Sequence, residues 1–350
     1  MDEKIMEPQE DYFKLREMIM GGWLAQSIYI IAELGIADQI QNGIQSIEVL
    51  SQKLNVHAPS LYRIMRVGVN YGLFSETQDG HFELTNLSQY LLSDAPISLK
   101  SMASYFGRPW HREVWSHLMY TIQTGEPAFP QVHQEEFFDY LAQHPEEEKL
   151  FQNTMINYSQ YHIPCILKNY DFSKFNSVAD IGAGYGWLLA GILEKYPKLK
   201  GIYFDLPSNL DNAKKFLNDK GLISRCKMVT GDFFTSVPSN ADMYLLKLVL
   251  HDWSDIQCQT ILKNIRKEIP NNGRLLIIDM AIPSNNIQPG ILLDIEILAI
   301  LPGKERTEKE VEEMLTMSQF KLNKIINTGY DFSIIEAIPC QISSAKNYNM

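Results

Sequence analysis

Three carboxylates and one histidine stand where an α/β chain does chemistry. Asp180 immediately precedes three alternating glycines, in the run Asp180-Ile-Gly182-Ala-Gly184-Tyr-Gly186. Small residues at a strand-to-helix turn let a ligand approach the backbone closely. The spacing is G-x-G-x-G, whereas dinucleotide sites carry G-x-G-x-x-G. A carboxylate just before the glycines suits a cationic ligand end and would repel a pyrophosphate. A bare turn is the simpler alternative. Asp205 ends an apolar run in FDLP, and an acid ending a second strand can bind both hydroxyls of a ribose. Asp232, in GDFF, can accept from an exocyclic amine while Phe233 packs on a ring face. The three together fit an adenosine without phosphates. His251 follows the apolar Leu248-Val249-Leu250 and precedes Asp252-Trp253. An imidazole with a pKa near 6.5 is mostly neutral at pH 7 and can take a proton from a hydroxyl. The same stretch also reads as a helix start, with Asp252 or Ser254 as the cap and a satisfied histidine.

These residues need strands and turns to hold them. Short apolar runs at 177–181, 201–204, 226–230, 243–246 and 274–278 alternate with helical stretches, which predicts βαβ units and a parallel sheet. Runs at 322–327 and 330–338 lie close together around Gly329, which predicts a closing hairpin and an antiparallel strand. The first hundred residues are different. An apolar pattern at helical spacing from Met18 to Leu34 predicts a helix buried on more than one side, against a partner subunit. Ser46 can cap a helix through Leu54, and Pro59 can open a second one to about Gly72. Strand, Asp79-Gly80 turn and strand then follow over residues 73–84. Helix, turn, helix, hairpin is a winged-helix arrangement, which serves either DNA binding or scaffolding. The candidate recognition helix offers only Arg63 and Arg66 among apolar side chains, where sequence-specific binding needs several phosphate contacts and base-edge donors. Residues 93–170 read as interrupted helix rich in aromatics.

Composition narrows the classes. The 350 residues carry 31 basic and 42 acidic side chains, a net charge of −11, and 45% are hydrophobic. Such a chain repels phosphate backbones, so a nucleic-acid partner is not expected. Cys165, Cys226, Cys258 and Cys340 lie far apart, which supports neither a metal cluster nor a disulfide framework. The acidic first residues lack a signal-peptide core, and no apolar stretch is long enough for a membrane span. The expectation is a soluble cytoplasmic protein with no membrane partner and no metal.

DIGAGYG, FDLP, GDFF, LLKLVLHDWSD, IIDMAIP and PGKERTEKE occur in an order and spacing that resembles the class I S-adenosylmethionine (SAM)-dependent O-methyltransferases. The likeness is to the plant caffeate-type and bacterial small-molecule enzymes, which include acetylserotonin and hydroxyneurosporene methyltransferases. It runs from about residue 20 to 338. The resemblance implies a Rossmann-like α/β SAM-binding domain over 171–350, with a mostly parallel seven-stranded sheet and an antiparallel last strand. A mainly helical winged-helix dimerisation domain would occupy 1–105, and a helical linker contributing to the acceptor pocket 106–170. It implies a homodimer through the N-terminal domain, SAM as cofactor, S-adenosylhomocysteine as product, and a small-molecule hydroxyl acceptor.

Residue roles follow from the same resemblance. Gly182 and Gly184 would lie along the methionine portion of SAM, with Ser159 at its amino-acid end and Asp180 and Lys247 also near the cofactor. Asp205 with Leu206 would bind the ribose, and Asp232 with Phe233 the adenine. His251 would be the general base, Asp279 would flank it and hold its tautomer, and Glu305 would be a second carboxylate beside it. Met155 and Trp253 would border the acceptor. The stretch 294–301, with Ile297, Ile300 and Leu301, would form an apolar wall favouring a flat aromatic or polyketide-like acceptor. Two other readings stand beside this one: a SAM-binding relative doing hydroxylation, decarboxylation or cyclisation, and a winged-helix DNA-binding regulator.

Overall fold

The computed structural model describes residues 10–283 and 290–340. The chain forms two compact units. One holds the described residues up to Glu113 together with His144–Asn157; the other holds Val114–Gln143 and the described residues from Tyr158 onward. No helix among the described residues is long and apolar enough to cross a membrane.

The first unit is helical. Helices Glu10–Glu33, Ile36–Gln41, Ile47–Leu54 and Ala58–Asn70 precede a hairpin of Phe74–Glu76 and Phe82–Leu84. Ser46 caps its helix by accepting from the Val49 N–H, as its position predicts. Ile31, Leu50, Leu61, Met65, Phe74 and Phe82 form the core. The first helix leaves Tyr12, Phe13, Leu15, Met18, Ile19 and Trp23 exposed within the single chain, and Trp23 keeps 72% of its surface. Six large apolar side chains on one helix form the kind of patch that marks an interface.

The second unit is built on a seven-stranded sheet. Its strands are β1 (Ser177–Ile181), β2 (Lys200–Asp205), β3 (Cys226–Thr230), β4 (Met243–Lys247), β5 (Arg274–Asp279), β6 (Phe320–Asn327) and β7 (Ser333–Pro339). Their spatial order is β6-β7-β5-β4-β1-β2-β3. β1 to β5 are mutually parallel, and β7 runs antiparallel to both β5 and β6. The predicted last strand begins three residues later than expected, because residues 328–332 turn the chain and Gly329 takes φ +76°.

Strand residues alternate between two apolar cores. In β5, Leu275 and Ile277 pack on one side, and Leu276 and Ile278 on the other. Helices cover both faces, so these strands read as continuous apolar runs. Burying each such side chain contributes about 1.5–3 kcal/mol. The chain runs from β1 outward to β2 and β3, then crosses back to the other side of β1 for β4 and β5. The crevice at the carboxyl ends beside β1 is where sheets of this kind bind ligands.

Candidate active site

The three glycines after β1 adopt a backbone that side chains rarely take: φ is +71° at Gly182, +56° at Gly184 and +80° at Gly186. A Cβ on Gly182 would also come within 2.9 Å of a Val249 methyl. The Gly184 N–H donates to Asp205 Oδ2 at 2.6 Å, which ties the loop to the end of β2. Asp205 Oδ1 accepts from the Leu206 N–H and from Asn209. A carboxylate has about four acceptor positions, so one remains for a ligand hydroxyl. Asp232 is exposed and accepts from the Phe234 N–H at 2.8 Å, while Asn264 binds the carbonyls of Phe233 and Phe234.

Asp180 and Lys247 sit at the buried end of this crevice. Burial pushes Asp180 up to about 7, against the pull of Lys247. Burial likewise brings Lys247 down to about 8, opposed by Asp180, Asp279 and Asp331. Lys247 Nζ donates to Ser159 Oγ at 3.2 Å. Asp180 Oδ2 is buried with no hydrogen-bond partner. An unpartnered buried carboxylate oxygen is costly unless a ligand donor meets it. A glycine cradle, an open carboxylate oxygen and a ribose-ready Asp205 fit a phosphate-free adenosyl ligand with a cationic centre.

His251 lies on a short loop after β4 and is 6% exposed. Its Nδ1–H donates to Glu305 Oε1 at 2.7 Å, and Nε2 is 3.4 Å from Asp252 Oδ1. Burial alone would lower its pKa. Glu305, then Asp252 and Asp279, overcome that and push it up to about 10. These charges favour the protonated imidazole, where the ordinary pKa gives a mostly neutral ring. Three neighbouring carboxylates are the cause. Burial raises Asp279 to about 7 and Asp252 to about 6. A second correction concerns Asp279. It was expected to hold the ring tautomer, but Glu305 makes that bond and Asp279 Oδ1 has no partner. Asp252 is no mere helix-start residue, since Ser254 caps the helix Asp255–Glu268 with a full capping box. The cavity bordered by His251, Asp279 and Glu305 measures about 10 Å³. That is room for about one water molecule.

Trp253 stacks on Phe138 and meets Phe233 and Phe234 edge-on, which places it with the rings of the strand-end side. Ile297, Ile300 and Leu301 are buried in or just after the helix Leu292–Ile300. That wall is not purely apolar: Glu296 accepts from the Trp115 indole N–H at 2.7 Å, and Asp294 accepts from the Glu305 N–H. Met155 belongs to the other unit. Sequence reasoning missed Tyr158, His162 and Asp331. Burial and then Asp331, Glu296 and Glu305 raise Tyr158. His162 Nε2 lies 3.4 Å from Asp331. Burial takes His162 down to about 4, so it is neutral.

Comparison with known proteins decides the family. Residues 115–321 match the O-methyltransferase domain, and residues 17–94 the O-methyltransferase dimerisation domain. The chain belongs to the O-methyltransferase family. It is a SAM-dependent O-methyltransferase. The phenazine O-methyltransferase of Lysobacter antibioticus is 39% identical over 93% of this chain and 95% of that one. The mitomycin biosynthesis 6-O-methyltransferase of Streptomyces lavendulae is 30% identical over 90% of each chain. The crystal structure of human N-acetylserotonin methyltransferase in complex with SAM superposes with a TM-score of 0.87 at 25% identity, covering 97% of this enzyme and 100% of that chain. The winged-helix unit of the enzyme thus carries a dimerisation domain, and the crevice described above is that of a methyltransferase sheet.

Proposed function

We propose that the enzyme transfers the SAM methyl group to a hydroxyl of a small aromatic or polyketide-like metabolite, with His251 as general base. The observation that carries this is the buried His251–Glu305 pair at the mouth of β4. Glu305 fixes Nδ1 as the donor and leaves Nε2 for the acceptor proton. Asp252 and Asp279 stabilise the imidazolium that forms, as carboxylates beside other oriented histidines do. The same carboxylates favour the protonated ring in the free enzyme, so the base acts once that proton has left.

On this reading Asp180, Gly182, Gly184, Ser159 and Lys247 hold the amino-acid end of the cofactor. Asp205 and Leu206 take the ribose, and Asp232 with Phe233 the adenine. When bound, SAM supplies an activated methyl group on a sulfonium. The residues then need only align the acceptor oxygen with it, which is where most of the rate enhancement of such a transfer arises. Trp253, Ile297, Ile300 and Leu301 border the acceptor. We read residues 1–105 as the dimerisation domain, 106–170 as a helical linker and 171–350 as the catalytic domain. The exposed apolar side chains of the first helix support a homodimer. Two arginines and a net charge of −11 support neither a nucleic-acid partner nor a role in regulation. A cytoplasmic location agrees with the scattered cysteines.

The test is transfer of labelled methyl from SAM to a hydroxyphenazine, simple phenols and hydroxyquinones. The hydroxyphenazine comes first because the Lysobacter relative is a phenazine O-methyltransferase. His251→Ala should lower kcat by about 10²–10⁴-fold and leave SAM affinity near wild type. Wild-type turnover in that variant would sink the assignment of the base.

A further inference from the structure

The loop that carries His251 does not hold its own shape. Leu248 sits at φ +52°, a backbone that bulky residues avoid. Such a residue persists only where its surroundings over-determine it. The Leu248 N–H donates to the Ile278 carbonyl at 3.0 Å, and beyond Leu248 one short segment, residues 303–306, touches the loop in three ways. Gly303 packs directly on it: a Cβ there would lie 1.8 Å from the His251 carbonyl oxygen. Glu305 binds the imidazole Nδ1. Arg306, only 4% exposed, donates from Nη1 to the Leu250 carbonyl and from Nη2 to the Trp253 carbonyl, both at 2.9 Å. These carbonyls flank His251 on either side. Nε of the same guanidinium donates to Asp255 Oδ1 at 3.0 Å. Cys258, fully buried, repeats the grip: its thiol lies 3.1 Å from the Leu250 carbonyl and 3.3 Å from that of Trp253. Arg306 is itself anchored, since its backbone pairs with Ala281 just beyond β5.

We infer that Arg306 is a positioning residue for the general base: its guanidinium grips the backbone on both sides of His251 and so sets where the imidazole meets the acceptor hydroxyl. This rests on the assignment of His251 as base. Only a planar fork with five donors can span two carbonyls and a carboxylate at once. A lysine ammonium carries the same charge but reaches from one point. The loop would then relax toward a less strained Leu248, and Nε2 would move with it. A misplacement of about 1 Å is enough to cost about 10²-fold in rate.

The test uses the full-length enzyme with SAM and the hydroxyphenazine, or whichever acceptor of the panel is methylated. Arg306→Lys should lower kcat by about 10²-fold while acceptor KM and calorimetric SAM affinity stay within about twofold of wild type. In the free enzyme its His251 Nδ1–H resonance, followed by NMR of ¹⁵N-histidine protein, should broaden or shift as it does in Glu305→Gln. Arg306→Ala should regain part of its kcat on addition of guanidinium ion. Cys258→Ala, a milder change, should lower kcat less than Arg306→Lys does and again spare SAM affinity; it carries the test if Arg306→Ala does not fold. Wild-type kcat in Arg306→Lys overturns the proposal. So does a parallel fall in kcat, SAM affinity and thermal midpoint, which marks a purely structural arginine. If His251→Ala is inactive but Arg306→Lys is not, only the positioning role falls; if His251→Ala is active, both readings fall.

Discussion

Two loops at the carboxyl ends of neighbouring parallel strands solve the same problem in opposite ways. The loop after β1 must let a ligand reach the backbone, and it obtains its left-handed turns from residues that adopt them freely: Gly182, Gly184 and Gly186. The loop after β4 must aim a side chain. It takes its left-handed turn at Leu248, which is bonded to Ile278, and the residues that follow are held by contacts from residues 303–306, about fifty positions away. A binding loop can be shaped from within, because only the backbone matters. A catalytic loop needs its side chains, so its conformation is imposed from outside. The two loops meet where Val249 packs on Gly182.

The contrast can be broken at four places. The largest effect is expected at Gly303. Gly303→Ala puts a methyl into the His251 carbonyl and should lower kcat by about 10²-fold or more, with SAM affinity retained. Equal losses of both, measured by calorimetry beside the kinetics, would show that the loops are not separately held. Gly182→Ala should do the reverse. Its strained φ and the Val249 clash cost about 1–3 kcal/mol, so SAM affinity should fall roughly 5–150-fold, while kcat at saturating SAM changes little. Glu305→Gln sharpens the electrostatic side. Three carboxylates, Glu305, Asp252 and Asp279, raise His251 against its burial. Wild-type kcat/KM should therefore climb with pH well above 7. Removing the nearest charge should move that limb to lower pH by about one unit or more, with a lower plateau because the ring loses its tether. A limb that stays in place would assign it to another group. The smallest effect is expected at Asp255, whose side chain is 55% exposed at the outer end of the Arg306 fork. An exposed ion pair is worth about 0–1 kcal/mol, so Asp255→Ala should leave kcat near wild type and lower the thermal midpoint by no more than about 2–4 °C.

The same contrast explains what was legible in the sequence. Each of the five parallel strands was readable to within a residue or two, because alternation and apolar runs are local. Asp180, Asp205 and Asp232 could be placed at or beside strand ends because each carries that position in its neighbours. The glycine loop announced its own backbone. His251 was ambiguous from its neighbours, as a base or as a satisfied histidine at a helix start, and the family resemblance tipped the reading. Its partners were harder still. The bond from Nδ1 to Glu305 spans 54 residues, and nothing local distinguishes Glu305 as the partner from Asp279. Arg306 lay inside the quoted run PGKERTEKE, where it reads as one charge among many. Its burial comes from tertiary packing alone. His162 with Asp331 was missed for the same reason: the pair joins segments more than 150 residues apart, and neither member stands out in its own segment.

The helix Leu292–Ile300 ends three residues before Gly303. Proposed acceptor wall and reaction machinery are thus nearly consecutive in the chain, yet they are joined at few points. Ile297, Ile300 and Leu301 contribute bulk, and their replacement should redirect the enzyme to other acceptors while the methylation chemistry is inherited intact. Asp294 is the exception on that helix. Its carboxylate accepts from the Glu305 N–H at 2.8 Å, so a change there would propagate into the base. If these residues do line the acceptor, a lineage drifting toward new acceptors can change them freely while Asp294 is best left alone.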